Sequence, residues 1–434
     1  MNEQEGTQHS TEQRRSRKTN TAHQQNGKQA PAAQRPDNDD KEIWKAYWKT
    51  KGQPYRTEPE IDAERQKYLA ERRSIKPSMK QGIYPFKDIQ LSRSDLEWLL
   101  STHEDGRGPI EWHDIQQRSR EGLDLRGADL QGENLSGLPL VCMQGGLSQG
   151  TDWNDATDEQ RETAAVHLEG ANLRRANLEG AVLNKARLEG ADLRAAHLEG
   201  ATLNYTHLEG KAMPIVLPPA NLREVFFDST THIEMPTMGN KQSGFISVAD
   251  VRWEGTNLAV IDWALIHMLG DEGKAHQQHR LRDYFTAVRA NRQLSIALQD
   301  QGLNEVADRF AYRAQRLQRE VWRRQRKPLK YLLSWFLFLL AGYGYRPERT
   351  IVTYLLIIVG FAAAYHFFGG LSLYPPDAFI YSLTSFHGRG FFPGLQNNHS
   401  LHDPLVMLAA LEAVIGLLIE ASFIATFTQR FFGK

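Results

Sequence analysis

The chain has 434 residues, enough for two to four domains, and its 52 basic and 52 acidic residues cancel, so bulk charge points to no polyanionic partner and gives no support for nucleic-acid binding. A single cysteine, Cys142, excludes an intrachain disulfide, and the first residues hold no apolar leader core; most of the chain is therefore expected to face a reducing cytosol. The mean hydropathy of −0.52 averages two unlike parts, because nearly all sustained apolar sequence lies after Leu329.

Residues 1–42 are rich in Gln, Asn, Ser, Arg and Asp and almost free of large apolar side chains, which predicts a disordered tail. In residues 43–120, Trp44, Tyr47, Trp48, Ile83, Phe86, Leu91, Leu96, Trp98, Leu99 and Leu100 are the expected members of a small core. The stretch "SRSDLEWLLSTHEDGRG" predicts a helix with Ser92 as N-cap, Asp95 three residues later, and a glycine stop at Gly106 or Gly108. This region is expected to cap one end of the domain that begins at residue 121.

From residue 121 to 263 the sequence repeats. In "HLEGANLRRANLEGAVLNKARLEGADLRAAHLEGATLNYTHLEG" a leucine recurs every five residues from Leu168 to Leu208, and a small residue precedes most of them by two, as Ala171 precedes Leu173. A period of five fits neither helix nor ordinary strand, and it suits a coil whose five-residue sides each turn one large and one small side chain inward. The register resembles the pentapeptide-repeat family, and the resemblance implies a right-handed quadrilateral β-solenoid with twenty residues per coil. Further units centre on Leu125, Leu130, Leu135 and Leu140, and weaker ones on Leu222, Phe227, Val248, Trp253, Leu258 and Trp263. About five coils at ~4.8 Å per stacked strand give a solenoid roughly 20–25 Å tall. Glu169, Glu189 and Glu209 stack on one face beside His167 and His207, with Glu179 and Glu199 opposite; a metal site is conceivable there, and a solvated repeat face is the preferred reading. DNA mimicry has little support, since residues 164–210 hold six acids against five bases.

Residues 264–328 change to helical spacing on both sides of "QDQGLN", which predicts a helical hairpin turning at Gly302 and ending in a basic run from Arg319 to Lys327. The pair resembles tetratricopeptide-like helices, but a connecting bundle is the preferred reading. Residues 329–349 include "YLLSWFLFLLAGYGY", short for a crossing and expected to lie on the inner leaflet as an interfacial helix; a third crossing is the alternative.

Residues 350–434 hold two candidate spans, Thr350 to Gly370 and Pro404 to Phe432. Arg389 is the only Lys or Arg between His366 and Pro404, whereas basic residues flank the opposite ends, so the positive-inside rule puts both termini in the cytoplasm of a multi-pass protein of the cell inner membrane. Between the spans stands "DAFIYSLTSFHGRGFFPG". Its short apolar run and spaced glycines resemble the two-transmembrane, potassium-channel-like pore family, which implies a re-entrant pore loop of Ser382, Thr384, Ser385, Phe386, His387, Gly388, Arg389, Gly390 and Phe391, and assembly as a homotetramer. The family's potassium filter reads T-V-G-Y-G-D and only the two glycines survive here, so potassium selectivity does not carry over. Glu412, Gly416 and Glu420 lie at i, i+4 and i+8 along the second span and are the expected inner-helix pore face. An Arg389 to Glu412 pair would brace the loop and leave Glu420 to favour cations; an arginine-lined anion path and a loop that conducts nothing are the alternatives. Gly416 reads equally as a hinge or as a packing glycine.

No phosphate-cradling loop, nucleophile elbow or HExxH motif is present, so neither catalytic residues nor a metal or cofactor is expected. The expected function is a channel-like membrane protein, cation-conducting, gated through its cytoplasmic repeat domain. Its expected partners are membrane lipid, a permeant ion, further copies of itself and a cytoplasmic ligand or protein that the sequence does not name. A non-conducting, membrane-anchored scaffold or signalling protein is the alternative.

Overall fold

A computed structural model describes residues 34–210, 217–240, 242–345, 347–368, 374–388 and 404–432. Most of the expected disordered tail, residues 1–33, lies outside them.

The five-residue period is converted into coils by one left-handed residue per unit, placed two positions after each inward leucine. Gly170, Arg175, Gly180, Lys185, Gly190, Ala195, Gly200 and Tyr205 all have φ between 56° and 76°. Each turns the chain through a corner, and the leucines and alanines between corners are buried. Glycine takes every second corner. At Gly180 and Gly200 the reason is contact: a Cβ would come within 2.3 Å and 2.7 Å of the Trp112 ring, which lies over both corners.

Parallel bridges run in four ladders. Asp129, His167, Arg187, His207 and Thr237 form one, Asn134, Asn172, Asp192, Asn221 and Ser247 a second, Pro139, Asn177, His197, Phe226 and Arg252 a third, and Asp124, Gln144, Val182, Thr202 and His232 a fourth. The step from Gln144 to Val182 is 38 residues instead of twenty, because two short helices, α4 (Thr151–Asp155) and α5 (Asp158–Ala164), are looped out between coils.

The first end of the solenoid is covered by α1 (Lys41–Thr50), α2 (Ala63–Arg73) and α3 (Arg93–Ser101). Leu69, Leu91, Leu96 and Leu99 share one core with Leu125, Leu130 and Leu135. Helix α3 has the expected Ser92 and Asp95 capping box. It stops at Ser101, before either glycine, because Glu104 and Asp105 already adopt left-handed φ of 46° and 59°. Ile83, expected in the core, is 41% exposed. Buried Arg93 ties the cap to the coil: its guanidinium donates to the carbonyls of Asn134 and Ser136 at 2.8 and 3.0 Å and pairs with Glu97 at 2.8 Å.

The other end is closed by side chains that replace the missing next coil. Asp271 on α6 (Gly270–Gln278) accepts from the backbone N–H of Val248 and Ala249 at 2.7 and 3.2 Å and pairs with Arg223 at 2.6 Å. Gln293 and Gln301 on or beside α7 (Leu281–Asp300) accept from the N–H of Asp250 and Leu258. An open edge of unpaired backbone is thereby satisfied. Helix α8 (Asn304–Arg324) returns antiparallel to α7 with Gly302 at φ 76°, as the hairpin reading expects, and Phe310 packs edge-on against Trp263.

Beyond the hairpin lie α9 (Pro328–Ala341), α10 (Pro347–Phe368), α11 (Pro375–Phe386) and α12 (Pro404–Phe432). Helices α10 and α12 hold twenty-residue windows of mean hydropathy 2.0 and 2.1 of which only 17% and 22% is buried, the inverse of a soluble core helix; both are long and apolar enough to cross a membrane. Fourteen-residue α9 reaches about 21 Å, short of a ~30 Å hydrocarbon core. It joins the hairpin through Arg319 over the Phe338 ring at 4.4 Å and through Tyr312, whose ring lies 6.4 Å from that of Phe338.

Candidate functional site

Twelve-residue α11 begins with Pro375 and Pro376, whose missing N–H groups cost nothing in a first turn. Ala378, Tyr381, Ser382, Ser385 and Phe386 are its buried residues, spaced as one helical face, and that face is received by α10 and α12. Tyr381 packs edge-on to Tyr365 at 4.6 Å and Phe386 edge-on to Tyr354 at 5.0 Å.

The stripe of α12 that the sequence marks as a unit meets α11 residue by residue. Glu412, fully buried, is 2.5 Å from the Ser382 hydroxyl and accepts from Tyr365 at 2.6 Å. The Ser382 oxygen also lies 2.9 Å from the carbonyl of Ile358, so one serine touches both α10 and α12. One and two turns on, Gly416 lies against the carbonyl of Phe386, and Glu420 is hydrogen-bonded to His387 Nδ1, whose other ring nitrogen is 3.2 Å from the Tyr354 hydroxyl. Thr384 bonds back to the Tyr381 carbonyl at 2.9 Å, Ser385 is buried, and Gly388 turns the chain with φ 66°.

Arg389, Gly390 and Phe391 lie outside the described residues, and with them the expected Arg389 to Glu412 pair. Among the described residues Glu412 is instead held by two hydroxyls. Sequence reasoning missed Tyr365, and the signal for it was a tyrosine in the last turn of an otherwise apolar helix, where a phenol needs a partner.

A second constellation lies on the solenoid. The ladder of Glu169, Glu189 and Glu209, read in the sequence as a solvated face with a metal site only as the alternative, is knitted by ion pairs: His167 to Glu169 at 3.6 Å, His207 to Glu209 at 3.4 Å and Arg187 to Glu169 at 3.9 Å. The opposite face brings one donor atom each from Glu179, His197 and Glu199 within 4.8 Å of one another, a set of one nitrogen and two oxygens compatible with a divalent ion. It borders a cleft of about 700 Å³ under residues 107–113.

Comparison with known families decides the identity of the repeat. A model of the pentapeptide-repeat family matches residues 164–200 with eight copies. The chain carries pentapeptide repeats. Among solved structures, the repeat protein Rfr23 from the cyanobacterium Cyanothece 51142 is 28% identical over 29% of this chain and 65% of its own, so less than two thirds of that relative is spanned (TM-score 0.16). A pentapeptide-repeat protein of the Arabidopsis thaliana thylakoid lumen is 20% identical over 35% of this chain and 72% of its own (TM-score 0.16), and HetL from Nostoc is 20% identical over 30% and 56% (TM-score 0.12). No curated protein matches the chain.

Proposed function

We propose that this pentapeptide-repeat protein is a channel-like protein of the cell inner membrane, with α10 and α12 as outer and inner spans, α11 as a pore helix that re-enters the membrane, and both termini cytoplasmic. In this reading four copies assemble around the loop that follows α11, the solenoid is four-sided and serves as a sensing or binding domain, and no enzyme activity is involved. The observation that carries the proposal is the seating of α11. A helix of twelve residues, about 18 Å long, is too short to cross, yet it is anchored between two span-length helices through Ser382 and His387. Buried Glu412 supports it as well, since an acid at span depth that faces hydroxyls and not lipid belongs to a polar interior. Glu420, two turns further, has a side chain 40% exposed and gives the inner end negative charge, which favours cations over anions.

The rival is a non-conducting scaffold, favoured by the departure of residues 386–391 from a potassium filter. Single-channel recording from the purified protein in planar bilayers under potassium, sodium and chloride gradients separates the two. Unitary currents whose reversal potential moves in Arg389→Ala support the channel. Silence in every gradient, from protein shown to be folded and tetrameric, sinks it in favour of the scaffold.

A further inference from the structure

Helix α8 carries "RAQRLQREVWRR", and Arg313, Arg316, Arg319, Arg323 and Arg324 all border one cleft of about 560 Å³, closed on its far side by α6 and by Tyr284 of α7. That is the size of a pocket for a small phosphorylated molecule. The carboxylates lining it are two. Glu320 is used up by Arg323 at 2.8 Å and Arg324 at 3.0 Å. Glu272, buried, accepts from Asn291 at 3.0 Å and stands 3.8 Å from Arg313.

Five guanidiniums against two committed carboxylates leave a deficit of acceptors. Among the described residues Arg316 has neither a hydrogen bond nor an ion pair, and Nη1 of Arg313 and of Arg319 are buried without a hydrogen-bond acceptor. A buried donor left unpaired costs about 1–3 kcal/mol, more when charged, so an arrangement that gathers several is one that an anion completes. The other two arginines are held in place, both by Glu320 and Arg324 by further contacts. Arg324 donates to the carbonyl of His279 at 2.9 Å, lies 3.3 Å from the Tyr284 hydroxyl and stacks on that ring at 4.5 Å. Burial, with a smaller contribution from the charges of Arg309 and Arg316 and against the pull of Glu272, holds the Arg313 guanidinium below its ordinary pKa. The planar forks of arginine match phosphate oxygens two at a time.

We propose that the cleft between α6, α7 and the last three turns of α8 binds a phosphate-bearing anion, with Arg313 and Arg316 as its principal contacts. The phosphoryl group comes from a soluble phosphorylated metabolite or from an anionic phospholipid headgroup, since α8 runs within four residues into the apolar helix α9. The site stands independently of whether the chain conducts.

The test uses the full chain and two arms. In uncharged detergent, thermal unfolding is followed while inorganic pyrophosphate is titrated at constant ionic strength. In nanodiscs of phosphatidylcholine, with or without phosphatidylglycerol, the same unfolding is followed without added phosphate. Each is repeated with Arg313→Gln/Arg316→Gln, with Arg316→Gln alone, which removes an exposed unpaired group and keeps the fold, and with Arg292→Gln as an exposed control on α7. A saturable rise in Tm with pyrophosphate, at least tenfold weaker in the Arg316 variants and unchanged in Arg292→Gln, establishes a soluble ligand. A rise seen only with phosphatidylglycerol, with the same dependence on Arg316, establishes a lipid headgroup. No rise in either arm, or a rise of equal size in the Arg316 variants, overturns the proposal.

Discussion

Gly416 of α12 lies against the carbonyl of Phe386 at the end of α11, so closely that a Cβ at position 416 would be 2.0 Å from that oxygen. The neighbour is backbone and cannot swing aside. In Gly416→Ala the two helices must separate, at a cost of about 1–3 kcal/mol or more. The variant is expected to unfold several degrees lower in detergent, and amide exchange over residues 375–386 is expected to speed up. Unchanged stability would mean that the two helices can separate here without loss of packing.

Ser382 joins α11 to both α10 and α12 through Ile358 and Glu412, and Tyr365 takes the second oxygen of the same carboxyl. Glutamine offers an N–H donor and a carbonyl acceptor in the same shape, so Glu412→Gln should keep the helix seated. Glu412→Ala takes the acceptor from the Tyr365 hydroxyl while Ser382 keeps the Ile358 carbonyl, and should cost roughly 1–3 kcal/mol. Amide exchange over residues 375–386 measures the difference. Equal deprotection in both variants would mean that a negative charge, not a hydrogen-bonding shape, is what α11 requires.

Asp271 does for the last coil what a further coil would do. Its carboxylate holds two backbone N–H groups and Arg223 while itself fully buried. Removing one partner of a buried pair costs about 3–5 kcal/mol because the other charge is stranded. In Asp271→Ala the amides of Val248 and Ala249 should exchange far faster while those of residues 168–188 keep their protection, an asymmetry that mass spectrometry resolves. Loss of protection along the whole solenoid would show instead that the coils unfold as one unit.

How much of the fold and of the site is legible in the sequence depends on how local each signal is. The inward leucines, the Ser92 capping box, the Gly302 turn and the limits of α12 are written in short-range spacing, and all are present. The looped-out helices α4 and α5 break the repeat without a periodic signal of their own. Asp271, Gln293 and Gln301 read as surface polar residues because their partners are 22 to 48 positions away. Likewise the stripe Glu412, Gly416 and Glu420 is visible as a helical face, but that it meets Ser382, Phe386 and His387 in turn is a tertiary fact. The alternation of glycine at solenoid corners is visible too, and its cause at Gly180 and Gly200, Trp112, lies nearly seventy residues upstream of the first of them.

Glu189 is the expensive member of the stacked acids. It is 8% exposed, Oε2 has no hydrogen-bond partner, and burial, reinforced by the charges of Glu169 and Glu209, holds its carboxyl above the ordinary 4.5. The folded state therefore binds this proton more tightly than the unfolded chain does. The stabilising contribution is fully present below the unfolded pKa and is lost as pH rises through the folded one, so at pH 7 the ionised side chain is a net cost. Glu189→Gln, which cannot ionise, should be more stable than wild type at pH 7 by roughly 1–2 kcal/mol, a shift of roughly 2–4 °C per kcal/mol. The advantage should vanish near pH 4, where the wild-type carboxyl is protonated in both states. Glu169 and Glu209 are held below the ordinary range, against their own burial, by hydrogen bonds from His167 and from His207 and Thr237, so both proteins lose stability on acidification and the difference between the two melting curves reports Glu189 together with its repulsion of these two neighbours. A Glu189→Gln protein less stable than wild type at pH 7 would mean that the carboxylate, with Arg187 and His207 on the neighbouring rungs, is a favourable charge that burial does not outweigh.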